Sequence, residues 1–139
     1  MAPLAAAGAD DSLRARFALA TAGVFLIEAM IALWWRDRFV RPYLGDVLAV
    51  VLVHLFLRAT TRLTALQAAG AALAVAVMIE LGQLLHVLDA LGLRHNALAR
   101  VVLGGTYDPQ DLACYLVGAL AAFALDRLWL TQSSAADPG

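Results

Sequence analysis

Glu28, Asp46, Glu80, Asp108 and Asp111 bring carboxylates into, or to the edge of, stretches that are otherwise apolar, with Gln83, His86 and Tyr115 near them. Glu80 and Gln83 are three residues apart and share one face of a helix. Asp108, Asp111 and Tyr115 follow an i, i+3, i+7 pattern along another. Groups of this kind accept hydrogen bonds, carry a proton or act as a general acid and base. Arg41, Arg94 and Arg100, in the neighbouring polar stretches, suit an anionic headgroup or the neutralisation of the acids. Glu80, His86 and Asp111 are metal-ligand types, yet there is no HExxH, CxxC or paired-histidine spacing, so no metal and no other cofactor is predicted. No nucleophile motif is present either, and no catalytic residue is assigned. The single cysteine, Cys114, excludes an intramolecular disulfide and reads as packing.

The elements that must position these groups follow from composition. With 139 residues, 63% hydrophobic and 15% charged, and a mean hydropathy of +0.78, the chain does not suit a soluble globule. A formal net charge of −1 without a basic block argues against nucleic acid as a partner. All ten basic residues are arginine, as a GC-rich bacterial genome would produce. Four apolar runs, at residues 17–35, 43–62, 66–88 and 108–130, would span about 29 to 35 Å as helices, enough to cross a hydrocarbon core of roughly 30 Å. The expected fold is an all-α integral membrane protein with four transmembrane helices in one membrane domain. Residues 1–12 and 131–139 read as disordered tails. The first run is too long, and its flank too bulky, for a cleaved signal. In the second run His54 interrupts the apolar stretch, and Arg58 and Arg62 would have to snorkel. Trp34, Trp35, Tyr43 and Trp129 fit an interfacial belt.

Residues 89–107 predict a short interfacial helix between the third and fourth spans. Asn96 can cap its start, Leu98, Val101 and Val102 give it an apolar side, and Gly104 with Gly105 ends it. Ala68, Ala72 and Ala76 in the third span, and Gly118 and Ala122 in the fourth, recur at four-residue steps that let helix backbones approach within lipid, so spans three and four are expected to touch.

Four spans put the N-terminus, residues 58–65 and the C-terminus on one side, A, and residues 36–42 and 89–107 on the other, B. Each side carries five arginines, so the positive-inside count is tied. Glu28 lies about 10 Å and Glu80 about 12 Å from the B end of its span, at 1.5 Å per residue. Asp46, Gln83, His86, Asp108 and Asp111 lie in the same leaflet, and His54 falls toward A. The candidate ligand-binding set is therefore Glu28, Arg41, Asp46, Glu80, Gln83, Asn96, Arg100, Asp108, Asp111 and Tyr115, converging on a pocket open to side B. Several members have a structural explanation as well. Asp108, Pro109 and Asp111 make a good helix start, and a helix dipole would account for Asp46. Glu28 and Glu80 have no cap to make; interhelical bonds or pairing with Arg41 or Arg94 would account for them.

The stretches FVRPYLGDVL (residues 39–48), ELGQ (80–83), LGLRHN (91–96) and VVLGGTYDPQDLACYLVG (101–118) together resemble the bacterial small-membrane-protein family catalogued as domain of unknown function 2809. More distantly, the Glu-x-x-Gln before a paired-Asp segment is similar to the VanZ-like proteins linked to glycopeptide resistance. The first resemblance implies that the family's recurring positions fall on Glu28, Arg41, Pro42, Tyr43, Gly45, Asp46, Glu80, Gln83, Asn96, Gly104, Asp108, Asp111, Tyr115 and Gly118. The chain departs from that pattern at Gly105, Tyr107 and Cys114, where Ser, Phe and Ala are more usual. The family implies no established reaction.

Four functions are in view. A binding or accessory protein of the bacterial cytoplasmic membrane would engage an anionic lipid or cell-envelope precursor headgroup, and the clustering in one leaflet favours it. A packing protein would use its polar groups only to lock helices. A proton- or ion-coupled transporter would need a polar path toward side A, where only His54 stands, and four spans are few without a homo-oligomer. An intramembrane enzyme lacks a supporting motif.

Overall fold

A computed structural model describes residues 2–35, 37–38, 40–103 and 105–135. Its elements are α1 (Ala2–Trp34), α2 (Val40–Thr60), α3 (Ala65–Leu84), α4 (Val87–Ala90), a 3₁₀ turn (Leu93–His95), α5 (Ala97–Leu103) and α6 (Pro109–Ala135). Four of them contain segments long and apolar enough to cross a membrane: Gly8–Trp34, Val40–Thr60, Ala65–Leu84 and Pro109–Gln132. The all-helical four-span architecture read from the sequence is therefore the one observed, and the chain is a multi-pass membrane protein.

The boundaries differ from expectation where local chemistry outweighs hydropathy. Residues 2–12, expected as a loose tail, are helical. Their run of alanines has the best intrinsic helix propensity, and an Asp10–Arg14 ion pair at 3.6 Å reinforces the turn that leads into the apolar stretch. At the other end α6 continues to Ala135, so part of the expected second tail is helical too; residues 136–139 lie outside the described residues. The third span ends at Leu84 rather than at residue 88. There the chain turns through Leu85 and His86, and His86 takes a left-handed conformation (φ 52°), which no helix can propagate.

Helix starts are built from side chains. Thr64 and Gln67 form a capping box at α3: the Gln67 N–H donates to Thr64 Oγ1 (3.3 Å) and the Thr64 N–H to Gln67 Oε1 (3.0 Å). Pro42 sits in the first turn of α2, where its missing N–H removes no helical bond. Asn96 caps α5 by accepting from the Ala99 N–H at 3.0 Å. The expected interfacial helix is thus three short pieces, and Leu98 and Val101 on α5 are exposed as an interfacial face requires. Gly104, expected to help end it, lies outside the described residues, as does Arg36 in the α1–α2 connection.

Helices α2, α3 and α6 pack on one another, and the core between them is made of Val50, Ala72, Ala76, Tyr115 and Ala119. The alanine stripe of α3 is buried in it, as close packing in lipid requires, where dispersion rather than hydrophobic burial holds helices together. Spans three and four touch. Gly118 serves the α2 side: a Cβ there would stand 2.7 Å from the Val47 carbonyl oxygen. Among the described elements the backbone of α1 lies against α2 alone, and it reaches α6 through side chains, chiefly Phe17 edge-on to Trp129 with ring centroids 5.4 Å apart.

Candidate functional site

Three polar assemblies lie on this frame. The first is at the B end of the core. Glu80 on α3 is fully buried and accepts two hydrogen bonds from α6: one from the Asp108 N–H to Oε1 (2.9 Å), one from the Tyr115 hydroxyl to Oε2 (3.2 Å). Asp108 is also the N-cap of α6, its Oδ1 accepting from the Gln110 N–H at 2.9 Å. The Asp46 carboxyl on α2 meets that of Asp111 on α6. Three helices thus contribute to an acceptor-rich cluster with few donors. Among the described residues no three His, Cys, Asp or Glu side chains are placed to hold a metal ion.

The second assembly is a cavity of about 660 Å³ between the end of α3 and the segment that returns to α6. Gln83, His86, Asp89, Arg94, Arg100 and Tyr107 supply its polar wall, with Leu84, Leu88 and Leu103 beneath. The Gln83 amide donates to the Val102 carbonyl at 3.3 Å, tying α3 to α5, and a Cβ at Gly105 would press on that amide at 3.0 Å. Arg94 is engaged by Asp89 through two hydrogen bonds, Nη2 to Oδ2 at 2.8 Å and Nε to Oδ1. The hydrogen bond from Arg94 holds the Asp89 carboxyl below its usual range, and the same bond raises the Arg94 guanidinium. Arg100 has no carboxylate partner among the described residues. Two guanidiniums, one already neutralised, in a wall with an amide, an imidazole and a phenol suit an anionic group flanked by hydroxyls or amides.

The third assembly lies toward side A and had no counterpart in the sequence reading beyond His54. His54 and Asp126 are buried on α2 and α6, with Nε2 and Oδ2 2.8 Å apart. Arg58, one turn along α2, donates from Nε to the same oxygen at 2.7 Å and from Nη1 to the Leu63 carbonyl at 2.6 Å. Its guanidinium lies 4.8 Å from the Phe17 ring centroid, and that of Arg16 lies 5.6 Å from that of Trp129. Arg58 therefore turns inward instead of snorkelling. Two signals were available: His54 and Arg58 are four apart on one helix face, and Asp126 sits at the matching depth of the last span.

The structure joins five of the ten candidate residues, Asp46, Glu80, Asp108, Asp111 and Tyr115, into one cluster and puts two others, Gln83 and Arg100, on the cavity wall. Asn96 is spent on a cap. Arg41 is exposed at the start of α2. Glu28 stands apart, on a helix whose backbone meets α2 alone. Neither Arg41 nor Arg94 neutralises Glu80, because Arg94 is held by Asp89 and the donors to Glu80 come from α6.

A family model described as a protein of unknown function, DUF2809, matches residues 35–119, more than half of the chain and all of α2 to α5. No curated protein and no solved structure matches. The distant likeness to VanZ-like proteins thus has no counterpart in these comparisons.

Proposed function

We propose that this chain, which belongs to the DUF2809 family, is an accessory protein of the bacterial cytoplasmic membrane that holds the polar headgroup of a lipid or cell-envelope precursor in its B-side cavity. The observation that carries the reading is Arg100. It lines a cavity of about 660 Å³ at the membrane boundary without a carboxylate partner among the described residues, while Gln83, His86 and Tyr107 converge on the same space. A guanidinium there suits a phosphate or carboxylate; the amide, imidazole and phenol suit a ligand's hydroxyl and amide groups. The left-handed turn at His86 ends α3 and brings the imidazole to the cavity wall. The acid cluster behind the wall would then hold α3 and α6 in register beneath the ligand.

A second reading, that the polar groups only lock helices, draws on Glu80, both of whose carboxylate oxygens are engaged by α6. One experiment separates the two: native mass spectrometry of protein carrying its co-purified lipid, wild type beside Arg100→Gln and Glu80→Gln, with unfolding measured in parallel. A discrete adduct lost in Arg100→Gln at unchanged stability is the expected result. Bare protein in every sample, with Glu80→Gln merely less stable, would leave the helix-locking role alone.

A further inference from the structure

At the A ends of α1 and α2 a cavity of about 280 Å³ is walled by Asp10, Arg14, Phe17, Arg58, Thr61 and Arg62. The three guanidiniums are in different states. Arg58 has three donors committed, to Asp126 and Leu63, and forms the floor. Arg14 shares its charge with Asp10 at 3.6 Å. Arg62 is exposed, and no ion pair or hydrogen bond is formed by it among the described residues. The wall therefore holds three positive charges against Asp10, with Asp126 behind the floor, and the unused N–H groups of Arg62 open onto the space.

What lies below gives the ligand its second half. Along the same two helices, one to three turns deeper, a groove of about 510 Å³ runs between Ala18, Ala22 and Phe25 of α1 and Leu52, Phe56 and Ala59 of α2. On α1 Ala18 follows Arg14 by four residues, and α2 ends at Thr60 on the groove wall, so that Arg62, in the turn just beyond, stands at the A end of the groove. The two hydroxyls on its wall are turned away: Thr21 donates to the Phe17 carbonyl (2.7 Å) and Thr60 to the Phe56 carbonyl (2.8 Å). Because the backbone of α1 meets α2 alone, this seam faces the bilayer.

We infer that the α1–α2 seam is a binding site for one anionic phospholipid, its phosphate held by Arg62 and Arg14 and an acyl chain laid in the groove beneath. A bare anion would use the cavity and leave the groove idle; a zwitterionic lipid would fill the groove but bring a cation among guanidiniums. This site lies in the opposite leaflet from the B-side cavity and does not depend on that reading.

The test is native mass spectrometry of delipidated protein titrated in neutral detergent with phosphatidylglycerol, with phosphatidylcholine of the same acyl chains, and with inorganic phosphate. The expected result is a one-to-one phosphatidylglycerol adduct at roughly a tenth of the lipid concentration that phosphatidylcholine needs, and no adduct with inorganic phosphate. Arg62→Gln, which removes no internal bond, and Arg14→Gln should each bring phosphatidylglycerol to the phosphatidylcholine level, whereas Arg127→Gln, at an exposed arginine of α6 outside both cavities, should change nothing. Equal uptake of the two lipids overturns the site, as does a preference that survives both Arg62→Gln and Arg14→Gln. An inorganic phosphate adduct lost in Arg62→Gln would overturn the lipid assignment in favour of a soluble anion.

Discussion

Asp126 offers the sharpest test of the packing argument. Its carboxylate, 2% exposed, is the shared acceptor of His54 and Arg58, at 2.8 and 2.7 Å. Removing one partner of a buried ion pair costs about 3–5 kcal/mol in water-soluble cores. Hydrogen bonds between membrane helices are weaker, about 0.6 kcal/mol on average and about 1.7 at most. Asp126 accepts three of them, two from a guanidinium whose side chain is only 13% exposed, so Asp126→Leu should destabilise the protein by about 2–4 kcal/mol, between the two scales. The companion Arg58→Met removes the same pair from the other end. Their combination leaves no unpaired charge, so the double variant should be more stable than the sum of the singles predicts by about 1.5 kcal/mol or more. Reversible unfolding in mixed dodecyl maltoside and dodecyl sulfate micelles, followed by far-ultraviolet circular dichroism, measures all four proteins. Additive single variants, or an Asp126→Leu protein within about 0.5 kcal/mol of wild type, would show that the triad does not hold α2 to α6 and that the reasoning from burial is unsound here.

The same assay tests three further positions. Gly118→Ala must push α6 off the Val47 carbonyl and should cost about 1–3 kcal/mol, whereas Gly70→Ala, which meets nothing within 4 Å, should be neutral or stabilising by up to about 1 kcal/mol. Thr64→Ala removes the capping box of α3, for an expected loss of about 1 kcal/mol. His86→Gly should raise stability by about 1 kcal/mol by relieving the left-handed backbone, while weakening any adduct in the B-side cavity; loss of stability would mean that the imidazole is packing. Around Asp89 and Arg94 the order is pH-dependent. The carboxyl is held low in the folded state, so the pair's contribution is present above the unfolded value near about pH 4 and is lost as pH falls through the folded one. Hydrogen exchange across residues 89–96, corrected for intrinsic rates, should show protection at pH 6 that falls away as the pH is taken progressively below about 4, and Arg94→Gln should show little at any pH.

Hydropathy made the four spans legible because a bilayer leaves few alternatives to an apolar helix of about 20 residues. Depth counting put Asp46, Glu80, Asp108 and Asp111 at one level, and in the structure the Asp108 N–H bonds to Glu80 while the Asp46 carboxyl meets that of Asp111. Depth says nothing of direction around a helix, which is why Glu28, at a matching depth, stands apart from them on a helix that meets α2 alone. Asp126 is not legible in the sequence because one carboxylate in a long apolar run barely alters its hydropathy, while its partners, His54 and Arg58, lie on a helix far away in sequence. The turn after α3, at Leu85 and His86, carries no glycine or proline to announce it; the break is a histidine in a conformation that sequence pattern does not encode. At Asp108 and Asn96 the sequence named the caps correctly, since N-cap chemistry is local.

The order in which partners are synthesised follows from the contacts of α6. Glu80 waits for donors 28 and 35 residues downstream, and His54 and Arg58 for an acceptor 72 and 68 residues downstream. A nascent chain that has inserted α1, α2 and α3 therefore carries an unpaired carboxylate and an unpaired guanidinium in the bilayer until α6 leaves the ribosome. The last span thus closes both polar networks at once. A stop codon before residue 108 would leave three apolar helices in the membrane with their ionisable groups displayed.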